Sequence, residues 1–224
     1  MSKTYEGMRG RVQQGLWWVV LLFALAVVAP VSAKAPVRAP ATTHTVLVMG
    51  DSLSAGYGIA VSQGWVSLLG QRLRADGGRW SVVNASVSGE TTSGGLSRLP
   101  AALSRAKPSV VVIELGANDG LRGLPVRDMQ ANLDRMVKMS RASGAKVLVL
   151  GMRMPPNLGR AYTEGFANAY TTVARTNGAS LLPFFLEPIM LDRTAFQRDN
   201  LHPTAAVQGQ LLNHVWPSLQ PLLR

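Results

Sequence analysis

Five short aliphatic runs separated by longer amphipathic stretches constrain the fold of this chain more than any other feature. The runs are Thr45 to Met49, Ser81 to Ala85, Ser109 to Leu115, Lys146 to Leu150 and the shorter Ser180 to Phe184. Most are continuous in Val, Leu and Ile rather than alternating, the pattern of parallel strands buried on both faces. The stretches around them predict helices over Trp65 to Arg74, Gly95 to Ala106, Arg127 to Ser143, Ala161 to Asn177 and Ala205 to Leu223, each long enough for a right-handed crossover. No internal repeat or low-complexity segment interrupts this rhythm. The expected fold is a three-layer α/β/α domain with about five parallel strands.

Composition narrows the chemistry. Of 224 residues, 47% are hydrophobic, enough for one sizeable core, and none is cysteine. Disulfides, thiolate zinc sites, iron–sulfur clusters and a cysteine nucleophile are therefore excluded. No metal and no cofactor is called for.

The first residues read as a routing segment. Lys3, Arg9 and Arg11 precede an uncharged run from Val12 to Ala33, whose apolar heart, Leu16 to Ala29, spans 14 residues and stops at Pro30. That length suits a secretory signal and falls short of a spanning helix, and Val31-Ser32-Ala33 places the expected cut after Ala33. The rival is an uncleaved anchor, since the whole uncharged run is long enough to cross a bilayer with tilt. In both readings the domain is exported. Residues 34–43, with Pro36 and Pro40, form a short extended linker, leaving 44–224 as the folded domain. Loss of Lys3, Arg9, Arg11 and Glu6 lowers the formal charge from +11 to +9. The basic residues are scattered, so the charge reads first as solubility and second as attraction to anionic lipid surfaces or substrates. Nucleic-acid binding has no support, because no basic run is present.

In an open parallel sheet, function sits beyond the carboxyl ends of the strands. Here those ends carry Gly50-Asp51-Ser52-Leu53-Ser54, Ser88-Gly89-Glu90-Thr91 and Gly116-Ala117-Asn118-Asp119-Gly120, and after the last strand comes Asp199-Asn200-Leu201-His202-Pro203. Ser52, just past the first strand, suits a nucleophile, which needs a base held by a third group. Of three histidines, His44 precedes the first strand and His214 lies inside the last helix, so His202 is the candidate base. Its spacing of three from Asp199 places both side chains on one side of a helical turn. Oxyanion donors are available from the Gly89 backbone, the Asn118 amide and the Ser52 backbone.

Singly, each piece has a plainer reading: Ser52 as a turn or cap residue, Asp51 as a cap, Asn118-Asp119-Gly120 as a turn, and Asp-x-x-His as surface chemistry. Their occurrence together, in the order Ser, Gly, Asn, His at the sheet's rim, favours a site. Glu114, inside an apolar strand, is costly if buried alone and reads as structural support. Glu90 reads as solvated or as a cap. Gly-x-Ser-x-Gly, Walker, Gly-x-Gly-x-x-Gly and His-Glu-x-x-His motifs do not occur.

Gly50-Asp51-Ser52-Leu53-Ser54, Gly89, Gly116-x-Asn118-Asp119 and Asp199-x-x-His202 resemble the four sequence blocks of the SGNH (GDSL) hydrolases. Val83 to Thr91, Glu114 to Gly123 and Leu182-Pro183-Phe184-Phe185 are similar to the bacterial periplasmic group with esterase, arylesterase, acyl-CoA thioesterase and lysophospholipase activities. The resemblance runs from about Thr45 to Leu223. It implies a flavodoxin-like fold, a Ser52, Asp199 and His202 triad, and an oxyanion hole of Ser52, Gly89 and Asn118. It also implies a loop from Gly120 to Pro125 that moves over the acyl chain, and a shallow substrate cleft involving Gly120, Leu121, Met154, Pro155, Pro156 and Asn157. Arg198, beside Asp199, is expected to face solvent.

The expected function is that of an exported serine hydrolase of small-molecule esters and thioesters, including lysophospholipids, working as a monomer with transient membrane-surface contact. Two alternatives stand beside it. A carbohydrate-ester deacetylase would release only acetate, and a non-catalytic flavodoxin-like binding module would hold an anion with the same glycine-rich loops and need no Asp199–His202 pair.

Overall fold

The computed structural model describes residues 44–224; the expected signal segment, its cut after Ala33 and the 34–43 linker lie outside the described residues. Five strands form one sheet: β1 (His44–Gly50), β2 (Trp80–Asn84), β3 (Val110–Glu114), β4 (Lys146–Leu150) and β5 (Ser180–Leu182). All pair in parallel, in the order β2-β1-β3-β4-β5. The three central strands carry the continuous aliphatic runs for the reason their sequences imply. Val46, Leu47, Val48, Val112 and Leu148 are fully buried, and each buried Val or Leu contributes roughly 1.5–3 kcal/mol. The edge strand β2 is half-exposed, and β5 is shorter than its run because Pro183 supplies no backbone donor to extend the ladder.

Among the described residues, seven α-helices surround the sheet: α1 (Ser52–Ala55), α2 (Trp65–Ala75), α3 (Thr92–Ala106), α4 (Ala117–Leu121), α5 (Val126–Ala142), α6 (Arg160–Asn177) and α7 (Gln208–Leu219). Helices α2 and α7 pack together, while α3, α5 and α6 form a second packed row, giving the three layers. The strand order is that of the doubly wound flavodoxin-like fold, whose switch point falls between β1 and β3.

The long helices fall close to their predicted spans, with two differences. Helix α3 starts three residues early, at Thr92, because Thr91 caps it through the Gly94 amide at 3.4 Å. The expected helix from Ala205 to Leu223 is divided: a 3-10 turn at Ala205–Val207, α7 itself, and a second 3-10 turn at Gln220–Leu223 containing Pro221. The single-turn helices α1 and α4 stand where the sequence predicts turns. Gly116, at φ +119°, makes the entry to α4, and a side chain there would collide with the Tyr170 hydroxyl.

Candidate active site

Chain reversal at the ends of β1 and β3 brings the polar clusters together. Asp51 caps α1, its Oδ1 accepting from the Leu53 amide at 3.0 Å, and this turn places Ser52 at the first helical position. On the far side, Asp199 and His202 lie in an irregular turn rather than on the helical turn expected of their spacing. The Phe196–Pro203 bridge closes this turn, the Gln197 amide donates to His202 O at 2.8 Å, and Asn200 takes φ +56°. Asp199 reaches His202 because its Oδ1 accepts from the Leu201 and His202 amides at 2.9 and 3.0 Å, an Asx turn that brings the acid back over its own backbone.

A hydrogen-bonded chain results. Asp199 Oδ2 is 2.7 Å from His202 Nδ1, and His202 Nε2 is 2.8 Å from Ser52 Oγ. With Nδ1–H donated to the carboxylate, Nε2 is left to accept from the serine hydroxyl. The His202 amide, its ring and the Leu201 amide hold the Asp199 carboxyl down at about 2, so the acid is ionised. The Tyr57 ring leans on the imidazole, with centroids 4.5 Å apart. Arg198 is exposed.

Gly89 and Asn118 face the same space. The Gly89 carbonyl accepts from Arg122 Nη2 at 2.8 Å. Both Asn118 amide hydrogens are engaged: Nδ2 donates to Asp51 Oδ2 at 3.1 Å and to Glu90 O at 3.0 Å. Beneath them Glu114 is fully buried and accepts from Ser54 Oγ at 2.7 Å, the supporting position its sequence context implied. Glu90 is neither solvated nor a cap. Its carboxylate meets Arg98 Nε at 2.6 Å because the loop before α3 folds back along that helix. Asp119 ties α4 to α3, accepting from the Thr92 amide and hydroxyl at 2.8 and 2.5 Å. His44 and His214 stand apart from the site: one lies against Trp80 and the other bonds Phe184 O at 2.9 Å.

Ser52, Gly89, Asn118 and His202 line a cleft of about 410 Å³. Leu121, Met154, Pro155 and Pro156 line it as well, whereas Gly120 and Asn157 do not. Gly120 is buried behind Met154 and Phe166, and Asn157 is exposed. The cleft also takes Tyr57, Arg153, Phe184, Leu186, Met190 and Leu201, none of which the sequence assigned to it. These residues come from loops after β1, β4 and β5, and no local pattern marks them. The positions of Arg153 after β4 and of Phe184 after β5, beyond the strands' carboxyl ends, offer the available signal. The Arg153 guanidinium lies 5.2 Å from the Phe184 ring centroid. No group of three or more metal-ligating side chains occurs among the described residues.

The chain is similar to known proteins in sequence and in fold. Residues 48–209 match the model of the GDSL-like Lipase/Acylhydrolase family. Esterase TesA of Pseudomonas aeruginosa is 51% identical over 183 residues, 82% of this chain and 91% of that protein. Thioesterase 1/protease 1/lysophospholipase L1 of Escherichia coli K12 is 39% identical over 183 residues, covering 82% and 86%. The crystal structure of psychrotrophic esterase EstA from Pseudoalteromonas sp., inhibited by monoethylphosphonate, superposes with a TM-score of 0.77 at 40% identity, covering 80% of this chain and 98% of that one. A family match over most of the chain, on a doubly wound sheet that carries all four motif blocks at its switch point, places this chain in the GDSL-like lipase/acylhydrolase family, the SGNH hydrolases.

Proposed function

We propose that the chain is an exported serine esterase that hydrolyses acyl esters and thioesters through an acyl-enzyme on Ser52. The observation that carries this reading is the Ser52–His202–Asp199 hydrogen-bonded chain at the edge of an apolar cleft. Ser52 Oγ forms a bond to the acyl carbonyl carbon while His202 Nε2 takes the hydroxyl proton, and Asp199 stabilises the imidazolium. The carbonyl electrons move onto the oxygen, which receives hydrogen bonds from the Ser52 and Gly89 amides and from Asn118 Nδ2, turned from Glu90 O. Collapse breaks the bond to the leaving alcohol or thiol, which takes the proton from His202. Water then attacks the acyl-enzyme by the same steps and releases the acid.

Leu121, Met152, Met154, Phe184, Leu186 and Met190 make the cleft apolar, which supports acyl chains longer than acetyl and disfavours the glycan deacetylase reading. The similarity to an esterase and to a thioesterase with lysophospholipase activity supports esters, thioesters and lysophospholipids as substrates. The triad and the oxyanion donors are complete within one chain, so the reaction needs no residue from a second copy, in keeping with action as a monomer. Leu191, 90% exposed beside the cleft residue Met190, together with Tyr57, Leu201 and Arg153 at the mouth, supports transient contact with a lipid surface. Export to the periplasm with cleavage after Ala33 rests on the amino-terminal sequence. No helix among the described residues is long and apolar enough to cross a membrane.

The test is hydrolysis of p-nitrophenyl esters from acetyl to palmitoyl by the wild type and by Ser52→Ala. The expected result is turnover that favours acyl chains of six or more carbons and a loss of at least about 10³-fold in the variant. Turnover of acetate alone would favour the deacetylase. No turnover by folded wild type, or retention by Ser52→Ala, would favour the binding module.

A further inference from the structure

Two acids beneath the turn that presents Ser52 have no part in the reaction just described. Glu114 ends β3 fully buried, and Asp51 follows β1 with 1% exposure. Gly50 pairs with Glu114 across the two strands, which brings both carboxyl groups into one pocket. A side chain at Gly50 would stand 2.8 Å from Glu114 Oε2, so the acid lies under the turn only because that residue is glycine. Glu114 Oε2 accepts from Ser54 Oγ at 2.7 Å and from the Asp51 amide at 3.4 Å, while Oε1 is buried without a partner.

The groups that bear on the pair are the Asp51 and Leu53 amides, Ser54, Asn118 and His202, with Tyr170 close enough to feel both charges. None of them is a lysine or an arginine. Burial pushes the Asp51 carboxyl up to about 6 and Glu114 well above the usual carboxylate range, with the charge of Asp51 as the next cause for Glu114. Burial and mutual repulsion favour a single negative charge on the pair, and Asp51, whose oxygens accept from the Leu53 amide and Asn118 Nδ2 while Glu114 Oε1 has no partner, is the better placed to carry it. An ionised carboxylate only accepts hydrogen bonds, as does Glu90 O, so the Asn118 amide is held with its NH2 between them and its oxygen away.

We propose that Asp51 is a positioning residue that acts through Asn118, fixing the amide so that the hydrogen now on Glu90 O is the one presented to the oxyanion. The proposal rests on the reading of Asn118 as an oxyanion donor. Glu114 serves as a neutral acid that holds the turn through Ser54 and the Asp51 amide. Asparagine at position 51 would offer both a donor and an acceptor, leaving only Glu90 O, whose hydrogen bond the oxyanion must replace, to fix the orientation of the Asn118 amide.

The experiment is steady-state hydrolysis of p-nitrophenyl butyrate by the full chain carrying Asp51→Asn, Glu114→Gln, Asn118→Ala and the Asp51→Asn/Asn118→Ala double change, with melting temperatures recorded. Asp51→Asn is expected to lower kcat about 10- to 100-fold with KM within about twofold and a melting temperature equal to or above wild type. In the Asn118→Ala background the same change is expected to cost less than about twofold. Glu114→Gln, which keeps a neutral acceptor, is expected to hold kcat within about threefold. A wild-type kcat for Asp51→Asn, or an equal loss in both backgrounds, overturns the proposal. Wild-type activity in Asn118→Ala would instead overturn the underlying assignment of Asn118. A loss in Glu114→Gln as large as that in Asp51→Asn would show the charge to lie on Glu114.

Discussion

Gln197 donates its side-chain amide to Tyr57 O at 2.8 Å, joining the loop that follows Ser52 to the loop that carries His202. The same Nε2 donates to Pro203 O at 3.1 Å, so a single amide holds both ends of the contact between imidazole and serine. The 2.8 Å separation of His202 and Ser52 thus depends on a residue that meets His202 only through its backbone and does not reach either reacting side chain. Gln197→Ala is expected to lower kcat roughly tenfold with little change in KM, because misplacing a catalytic base is costly even at small displacements. It should also destabilise the fold by about 1–2 kcal/mol. Steady-state kinetics and urea unfolding check both.

Tyr57 bears on the same base through its ring, 4.5 Å from the imidazole centroid. The ring is the part in contact, so Tyr57→Phe should retain activity within about twofold, while Tyr57→Ala should lose roughly 5- to 20-fold in kcat. A parallel kinetic comparison of the two variants decides it.

Asp199 is expected to matter as a charge and as an acceptor. Its carboxyl is held at about 2, first by the His202 amide, then by the His202 ring and the Leu201 amide. A depressed carboxyl contributes stability above its unfolded value and loses it only as pH falls through about 2, so Asp199 stays ionised wherever the enzyme is assayed. Asp199→Asn should lower kcat on the order of 10²–10⁴-fold at every pH from 5 to 8. A pH profile of kcat for both proteins checks this.

The buried acids run the other way. Asp51 is raised from 3.8 to about 6, chiefly by burial, so the folded chain binds its proton more tightly than the unfolded chain does. Its stability contribution is complete below the unfolded value and is lost as pH rises toward about 6. Asp51 should therefore contribute a loss of stability on the order of 2–3 kcal/mol between pH 4 and pH 7, and Asp51→Asn should shrink the difference between the two. Urea midpoints at the two pH values measure it.

The fold was largely legible because parallel strands buried on both faces must be mainly aliphatic, and the central residues of β1, β3 and β4 are. The ends were less so: Pro183 cuts β5 short, and Pro221 divides the carboxyl-terminal helix. The one-turn helices α1 and α4 are too short to carry a period, and both were read as turns. In the site, Ser52, Gly89, Asn118, Asp199 and His202 could be found by their places past the strand ends. Tyr57 and Gln197 could not, since their contacts depend on how distant loops settle on one another. Glu90 was misread because its partner, Arg98, meets it only when the loop folds back on α3. Asp51 was visible as a helix cap, but its bond to Asn118 spans 67 positions of sequence and has no local sign.

The central claim is that Ser52 forms a covalent bond to substrate with His202 as its base. The most direct measurement is mass spectrometry of the full chain after reaction with an ethyl p-nitrophenyl phosphonate, which leaves a phosphonyl group on an activated serine. The account predicts one adduct per chain, mapped to the peptide containing Ser52, with loss of esterase activity in proportion to labelling and a greatly slowed reaction in His202→Ala. Labelling at another residue, or full hydrolysis of esters by a chain whose Ser52 is unmodified after inhibitor treatment, would contradict it.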